Sequence, residues 1–89
     1  MIARHIIFTG HVQGVGFRFT AHRMANNHQL AGFVRNLPDG SVEMVAQGAA
    51  QDIDDCVADI KESFPGYIQE VIVNDVPPDP RHTSFRITF

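Results

Sequence analysis

Two glycines one residue apart, Gly14 and Gly16, stand between an apolar strand-like run and a helix-like run, and no other feature constrains this chain as much. The stretch reads Gly10-His11-Val12-Gln13-Gly14-Val15-Gly16-Phe17-Arg18, with Ile6-Ile7-Phe8 leading into it. Glycine takes φ > 0 without a Cβ clash, so the backbone can turn tightly here and converge several N–H groups on one point. A helix starting near Phe17 adds its own unpaired N–H groups and its positive end. Strand, glycine turn and helix start together form an anion site best suited to phosphate. Arg18, in the first helical turn, brings a guanidinium fork to the same anion. Read alone, the glycines also fit a plain turn, and Arg18 a solvated helix arginine. The stretch is not a Walker A loop, because Lys-Ser/Thr is missing. It is not a dinucleotide fingerprint, because Phe17-Arg18-Phe19 stands where a third glycine is needed.

Composition narrows the alternatives. The 89 residues are expected to form one domain over residues 1–89, large enough for a single core without staples. Hydrophobic content of 44% and charged content of 19% are those of an ordinary globular chain. No apolar run is long enough to span a membrane, and Met1-Ile2-Ala3-Arg4 lacks a signal-peptide pattern. Cys56 is alone, which excludes a disulfide framework and a cysteine metal site and makes the reducing cytoplasm the default location. The net charge of −3 argues against a dedicated nucleic-acid binder.

Along the chain, Arg4–Val12 reads as a first strand, β-branched and aromatic in its middle. Phe17, Ala21, Met24 and Ala25 fall at helical spacing, giving a first helix from Phe17 to about His28, ended by Asn26-Asn27-His28. Gly32 opens a second strand, Phe33–Leu37; Pro38-Asp39-Gly40 is a turn; Val42–Ala46 is a third strand, so the two form a hairpin that Gly48 closes. A second helix is expected over Ala50–Ser63, with Ile53, Val57, Ile60 and Phe64 as its apolar stripe. Asp52, Asp54 and Asp55 suit the positive end of that helix better than a metal. A fourth strand covers Ile68–Val76, and Pro77-Pro78-Asp79-Pro80 is a stiff connector. The fifth strand, Ser84–Phe89, alternates: Phe85, Ile87 and Phe89 on one face, Ser84, Arg86 and Thr88 on the other.

The order is β-α-β-β-α-β plus one strand, the split-βαβ, ferredoxin-like α+β plan. Right-handed crossovers put both helices on one face of a mostly antiparallel sheet. The expected order of the first four strands is 4-1-3-2, while the pattern leaves the fifth unplaced.

The stretch Gly10-x-Val12-Gln13-Gly14-Val15-Gly16-Phe17-Arg18, then Gly32-Phe33-Val34-Arg35-Asn36 and Asp39-Gly40-Ser41-Val42-Glu43, resembles the acylphosphatase family, and length and element order extend the resemblance over essentially the whole chain. The resemblance implies hydrolysis of acyl phosphates, small mixed anhydrides of a carboxylic acid and phosphate, with no metal and no organic cofactor. It implies that Arg18 binds phosphate, that Asn36 positions the attacking water, and that the loop Gln13, Gly14, Val15, Gly16, Phe17 supplies backbone N–H groups to phosphate oxygens.

Other residues are read from their positions. Arg35 neighbours Asn36 on a strand and so points to the opposite face, outside the site. His11 is either a surface histidine or one that approaches the anion. His22 and His28 are six apart, which is not a metal-ligand spacing. Cys56, beside the helix stripe, is expected as a partly buried, inert thiol. A second reading, a non-catalytic anion-binding module on the same plan, is carried alongside the enzyme. An RNA platform would need aromatic residues on its central strands, and Val42–Ala46 has none. A related domain occurs at the N-terminus of the larger carbamoyltransferases that mature hydrogenases; a chain ending at Phe89 is expected to be the free-standing enzyme. A monomer is expected, with no nucleic-acid or membrane partner.

Overall fold

The apolar run of the first strand forms the central element of a five-stranded sheet. The computed structural model describes all residues from Met1 to Phe89. β1 (Ile2–Gly10) pairs antiparallel with β3 (Val42–Gly48) on one side and β4 (Ile68–Val76) on the other. β2 (Ala31–Asn36) pairs antiparallel with β3, and β5 (Phe85–Ile87) pairs parallel with β2, so the sheet order is β4-β1-β3-β2-β5. The first four strands stand in the expected order, and the fifth closes the far edge beside β2. Helices α1 (Phe17–Asn27) and α2 (Ala50–Ser63) cover one face, as right-handed crossovers require.

The core lies between that face and the helices. Ile6, Phe8, Val34, Val42, Met44 and Ala46 point from the sheet into Phe17, Ala21 and Ala25 of α1 and Ile53, Cys56 and Ile60 of α2. Phe17 is its hinge pin: its ring centroid lies 4.9 Å from that of Phe8 and 4.8 Å from that of Phe64. A large aromatic at the first position of α1 therefore fixes where the helix begins relative to the sheet, which is also where the glycine loop ends.

The boundaries of four strands, β1, β2, β3 and β5, differ from the sequence expectation. β1 ends at Gly10, not Val12, because its register with β4 shifts between Thr9 and Gly10 and the chain leaves the sheet there. Val12 is nonetheless only 1% exposed, so it carries the apolar signature of a strand residue while packing from the loop. β2 and β3 run further toward their open end than expected, Ala31 pairing with Gln47, because each has the other as a partner there. β5 stops at Ile87; Phe85 is buried under the helices and Ile87 is half-buried, but Phe89 lies beyond the strand and is 97% exposed. Cys56, expected at the margin of the core, is fully buried in it, and burial pushes its thiol pKa up to about 12.

With β4 and β5 on opposite edges, the connector between them has to cross the sheet. It does so over the face without helices. Gln47, buried in β3, holds it: its amide donates to Asp79 O at 3.0 Å and accepts from Asp79 N at 2.8 Å. No helix is long and apolar enough to cross a membrane.

Candidate active site

The loop between β1 and α1 takes the conformation that its glycines permit. Gly14 has φ 77° and Gly16 φ 78°, and Gly16 caps the helix in the left-handed region. A Cβ on either would meet nothing within 4 Å, so both glycines serve backbone conformation rather than close packing. His11 N donates to Tyr67 O at 2.8 Å, and the first helical bond is Thr20 N to Gly16 O at 3.1 Å. Between these two, no backbone N–H from Val12 to Phe19 donates to a protein acceptor. Such a run of free donors at a helix start is a cradle for an anion.

The charge around the helix start points the same way. α2 carries Asp52 in its first turn, the ordinary complement to a positive helix end, whereas the first turn of α1 has no acidic residue and contains the cation Arg18. Arg4, Arg35 and Arg81 are each held by carboxylates; Arg18 forms no ion pair. Its guanidinium carbon instead lies 4.9 Å from the centroid of the Phe89 ring. An unpaired guanidinium beside a positive helix end is stabilised by a bound anion and by little else in its surroundings.

Asn36 reaches the same end of the molecule from β2. Phe8, Val42 and Asn36 form one row across β1, β3 and β2, and Phe8 and Val42 are buried under the helices, so Asn36 faces the helix layer. Its Oδ1 is buried and has no hydrogen-bond partner in the protein. A buried carbonyl left with free lone pairs is a natural acceptor for a bound water. Arg35, one residue earlier, turns to the opposite face and pairs with Glu43, which also contacts His5 Nε2 at 2.8 Å.

Gln13 ties the two parts together through its side chain, a role that no local pattern announces. Its side-chain Nε2 donates to Leu37 O at 2.7 Å and to Ser41 O at 2.9 Å. Leu37 follows Asn36 directly, so one glutamine side chain fixes the N–H loop against the end of the strand that carries the unpartnered carbonyl. The turn it holds is closed in its own right: the Asp39 carboxylate accepts from Ser41 N at 2.9 Å and from Ser41 Oγ, which keeps its pKa below the usual carboxylate range. The only prior signal for Gln13 was its place inside the loop, which points to its backbone rather than its amide.

His11 is exposed. Its ring stands edge-on to Tyr67 at 6.0 Å, and it lines a polar cleft of about 560 Å³ with Thr9, Gly10, Asp39, Gly40, Ser41 and Gln69. None of Arg18, Asn36 or the loop from Gln13 to Phe17 lines that cleft. No group of three or more His, Cys, Asp or Glu side chains is arranged to hold a metal ion.

A family model described as Acylphosphatase matches residues 4–87. A curated acylphosphatase of Chlorobaculum tepidum is 39% identical over 84 residues, covering 93% of this chain and 91% of that protein. The crystal structure of acylphosphatase from Bacillus subtilis superposes with a TM-score of 0.92 at 33% identity, covering 100% of both chains. The crystal structure of T. kodakarensis HypF gives a TM-score of 0.87 at 34% identity, covering 100% of this chain and 12% of that one.

Proposed function

This chain belongs to the acylphosphatase family, and from that premise we propose that Arg18 and the backbone N–H groups of Gln13–Phe17 hold the phosphoryl group of an acyl phosphate while Asn36 orients the attacking water. The activity itself, hydrolysis of the carboxyl–phosphate bond to a carboxylate and inorganic phosphate, is that of the family. The observation that carries the residue roles is the set of unsatisfied groups at one end of the fold: free N–H groups from Val12 to Phe19, an Arg18 without a carboxylate, and a buried Asn36 Oδ1 without a donor.

The chemistry requires little more than these groups. The leaving carboxylate has a conjugate acid with pKa of roughly 4, by analogy with Glu, and departs without a general acid. The negative charge of the phosphoryl group sits on its nonbridging oxygens, which the loop donors and the Arg18 fork can hold through an in-line transition state. Catalysis then rests on positioning and charge stabilisation. Asn36 accepts a hydrogen bond from water and donates through its amide nitrogen, but it is no base. The proton of the water passes to a phosphate oxygen of the substrate. Neither a metal nor an organic cofactor has a part in this scheme. We further propose that residues 1–89 act as one domain and as a monomer in the cytoplasm; the buried, unpaired Cys56 suits a reducing compartment.

Hydrolysis of benzoyl phosphate with EDTA present, by wild type and by Arg18→Ala and Asn36→Ala, tests the assignment. Both variants should keep the wild-type circular dichroism spectrum and lose about 100- to 1,000-fold in kcat/KM. Near-wild-type turnover by either folded variant removes that residue from the mechanism. Loss of wild-type turnover in EDTA overturns the metal-free scheme. A sharp basic limb of the pH profile that vanishes on mutating one histidine would replace the substrate-assisted step with a protein base.

A further inference from the structure

The alternating fifth strand has a second, polar face that the hydrolytic site does not use. Phe33 and Arg86 are register partners on β2 and β5, on the side of the sheet away from the helices, and Ser84 and Thr88 share that side with Arg86. The connector from β4 descends beside them, and a cleft of about 350 Å³ lies between, lined by Gly32, Phe33, Thr88 and the run Arg81, His82, Thr83, Ser84 together with Arg86. The chain has 10 acidic residues against 7 lysines and arginines, yet none of the residues lining this cleft is acidic.

The donors are arranged rather than scattered. Arg86 has no carboxylate partner; its Nε lies 3.4 Å from Ser84 Oγ, which leaves both terminal nitrogens of the fork free. Arg81 is anchored through its Nε and Nη2 to Asp79, leaving Nη1. Phe33 supplies an aromatic wall: the His82 ring lies 6.2 Å away on one side, and the Arg35 guanidinium lies 5.9 Å from its centroid. Thr83, Ser84 and Thr88 add three hydroxyls. One free guanidinium fork, that of Arg86, with hydroxyls beside an aromatic wall recognises a phosphate group carried on, or near, a planar apolar body, and Arg81, whose charge Asp79 balances, adds a single terminal nitrogen.

We propose that this cleft is a second phosphate-binding site, separate from the glycine loop and on the opposite face of the sheet, for a small ligand with a terminal phosphate. The ligand is either free phosphate or an aromatic phosphate monoester. Both share the phosphate that Arg86 and Arg81 would hold; only the monoester engages Phe33.

The test follows backbone amide shifts of ¹⁵N-labelled Arg18→Ala protein, in which the loop site is disabled, during titration with inorganic phosphate and separately with phenyl phosphate at constant ionic strength. The proposal expects saturable shifts at Thr83, Ser84, Arg86 and Thr88. Adding Arg86→Gln should weaken them at least about tenfold, and Arg86→Lys, which keeps charge without the fork, should fall between. Tighter binding of phenyl phosphate identifies the monoester as the ligand type, and equal binding identifies free phosphate. Absence of saturable shifts at these residues, or shifts indifferent to Arg86 substitution in a chain whose spectrum is otherwise intact, overturns the proposal. Arg86→Gln alone should leave benzoyl phosphate hydrolysis unchanged. Loss of hydrolysis would make the cleft part of the active site and overturn its separateness.

Discussion

Gln13 reaches from the glycine loop to the carbonyl of Leu37, 2.7 Å away, and thereby ties the free N–H groups of the loop to the strand end that carries Asn36. The same nitrogen reaches Ser41 O at 2.9 Å, so one amide bridges both strands of the β2–β3 hairpin where it turns. Leu37 O and Ser41 O keep other donors, Gly40 N and Leu37 N, when that bridge is lost. Gln13→Ala should therefore cost only about 1–2 kcal/mol of stability in urea unfolding. Its effect on catalysis should be larger, about 10- to 100-fold in kcat/KM for benzoyl phosphate, because reacting groups displaced by a fraction of a bond length lose their alignment. Gln13→Glu should be worse than Gln13→Ala, since it sets a carboxylate against two carbonyl oxygens. Equal kinetics for wild type and Gln13→Ala would mean that the loop holds its position without the tie.

Phe89 tests what orients Arg18. Its ring is almost wholly exposed, yet it lies over the guanidinium at 4.9 Å. An exposed cation–π contact contributes about 0.5–1 kcal/mol, which corresponds to about a two- to fivefold change. Phe89→Ala should raise the inhibition constant of phosphate by that factor and leave stability unchanged. Phe89→Leu, which keeps an apolar side chain without the π face, should match Phe89→Ala. An inhibition constant unchanged in both variants would show that the ring does not orient Arg18.

Much of the fold was legible in the sequence because it rests on local signals: the apolar periodicity of Ile53, Ile60 and Phe64, the turn residues Pro38-Asp39-Gly40, and the alternation of Phe85, Arg86 and Ile87. These fix element type and, through handedness, the order of the first four strands. The site was legible to the extent that it is backbone: a glycine pair before a helix predicts free N–H groups whatever surrounds it. What was not legible is long-range. Gln13 acts through carbonyls of residues far along the chain, and nothing in its neighbours announces a side-chain role. Val12 packs like a strand residue from outside the strand. The place of β5 depends on the connector crossing the sheet and docking on Gln47, a buried polar side chain one residue beyond where the sequence pattern ends the third strand. Phe89 continues the alternation of β5 but has no strand partner to hold it down, so it is left free to meet Arg18.

Cys56 offers a clean report on the core. It is fully buried between α2 and the sheet, and its thiol is pushed up to about 12, chiefly by burial and further by the nearby Asp59. At mildly alkaline pH almost none of it is thiolate in the native state, and thiolate is the reactive species. A chromogenic disulfide reagent should not react with native protein over hours but should react stoichiometrically in denaturant. In between, the rate should follow the opening of the core. Fast labelling of native protein would show that α2 lifts from the sheet far more readily than its packing implies.

The connector gives a prediction for acid stability. Arg81 donates from its side chain and its backbone N–H to the Asp79 carboxylate, and together they hold its pKa at about 2 against an ordinary value of 3.8. A carboxyl depressed in the folded state stabilises the fold above its unfolded pKa, and that contribution fades as pH falls towards the folded value. The window for Asp79 is therefore from about 3.8 down to about 2. Asp79 is half-buried and its partner Arg81 is exposed, so salt should screen part of its contribution. Asp79→Asn removes this titration but keeps the backbone N–H and carbonyl that dock on Gln47. Urea midpoints measured across the window should fall less steeply for Asp79→Asn than for wild type, and the two curves should converge at its acid end. Parallel curves would show that Arg81 holds Asp79 equally in the unfolded chain, where the two lie only two residues apart, and that the crossing of the sheet depends on Gln47 alone.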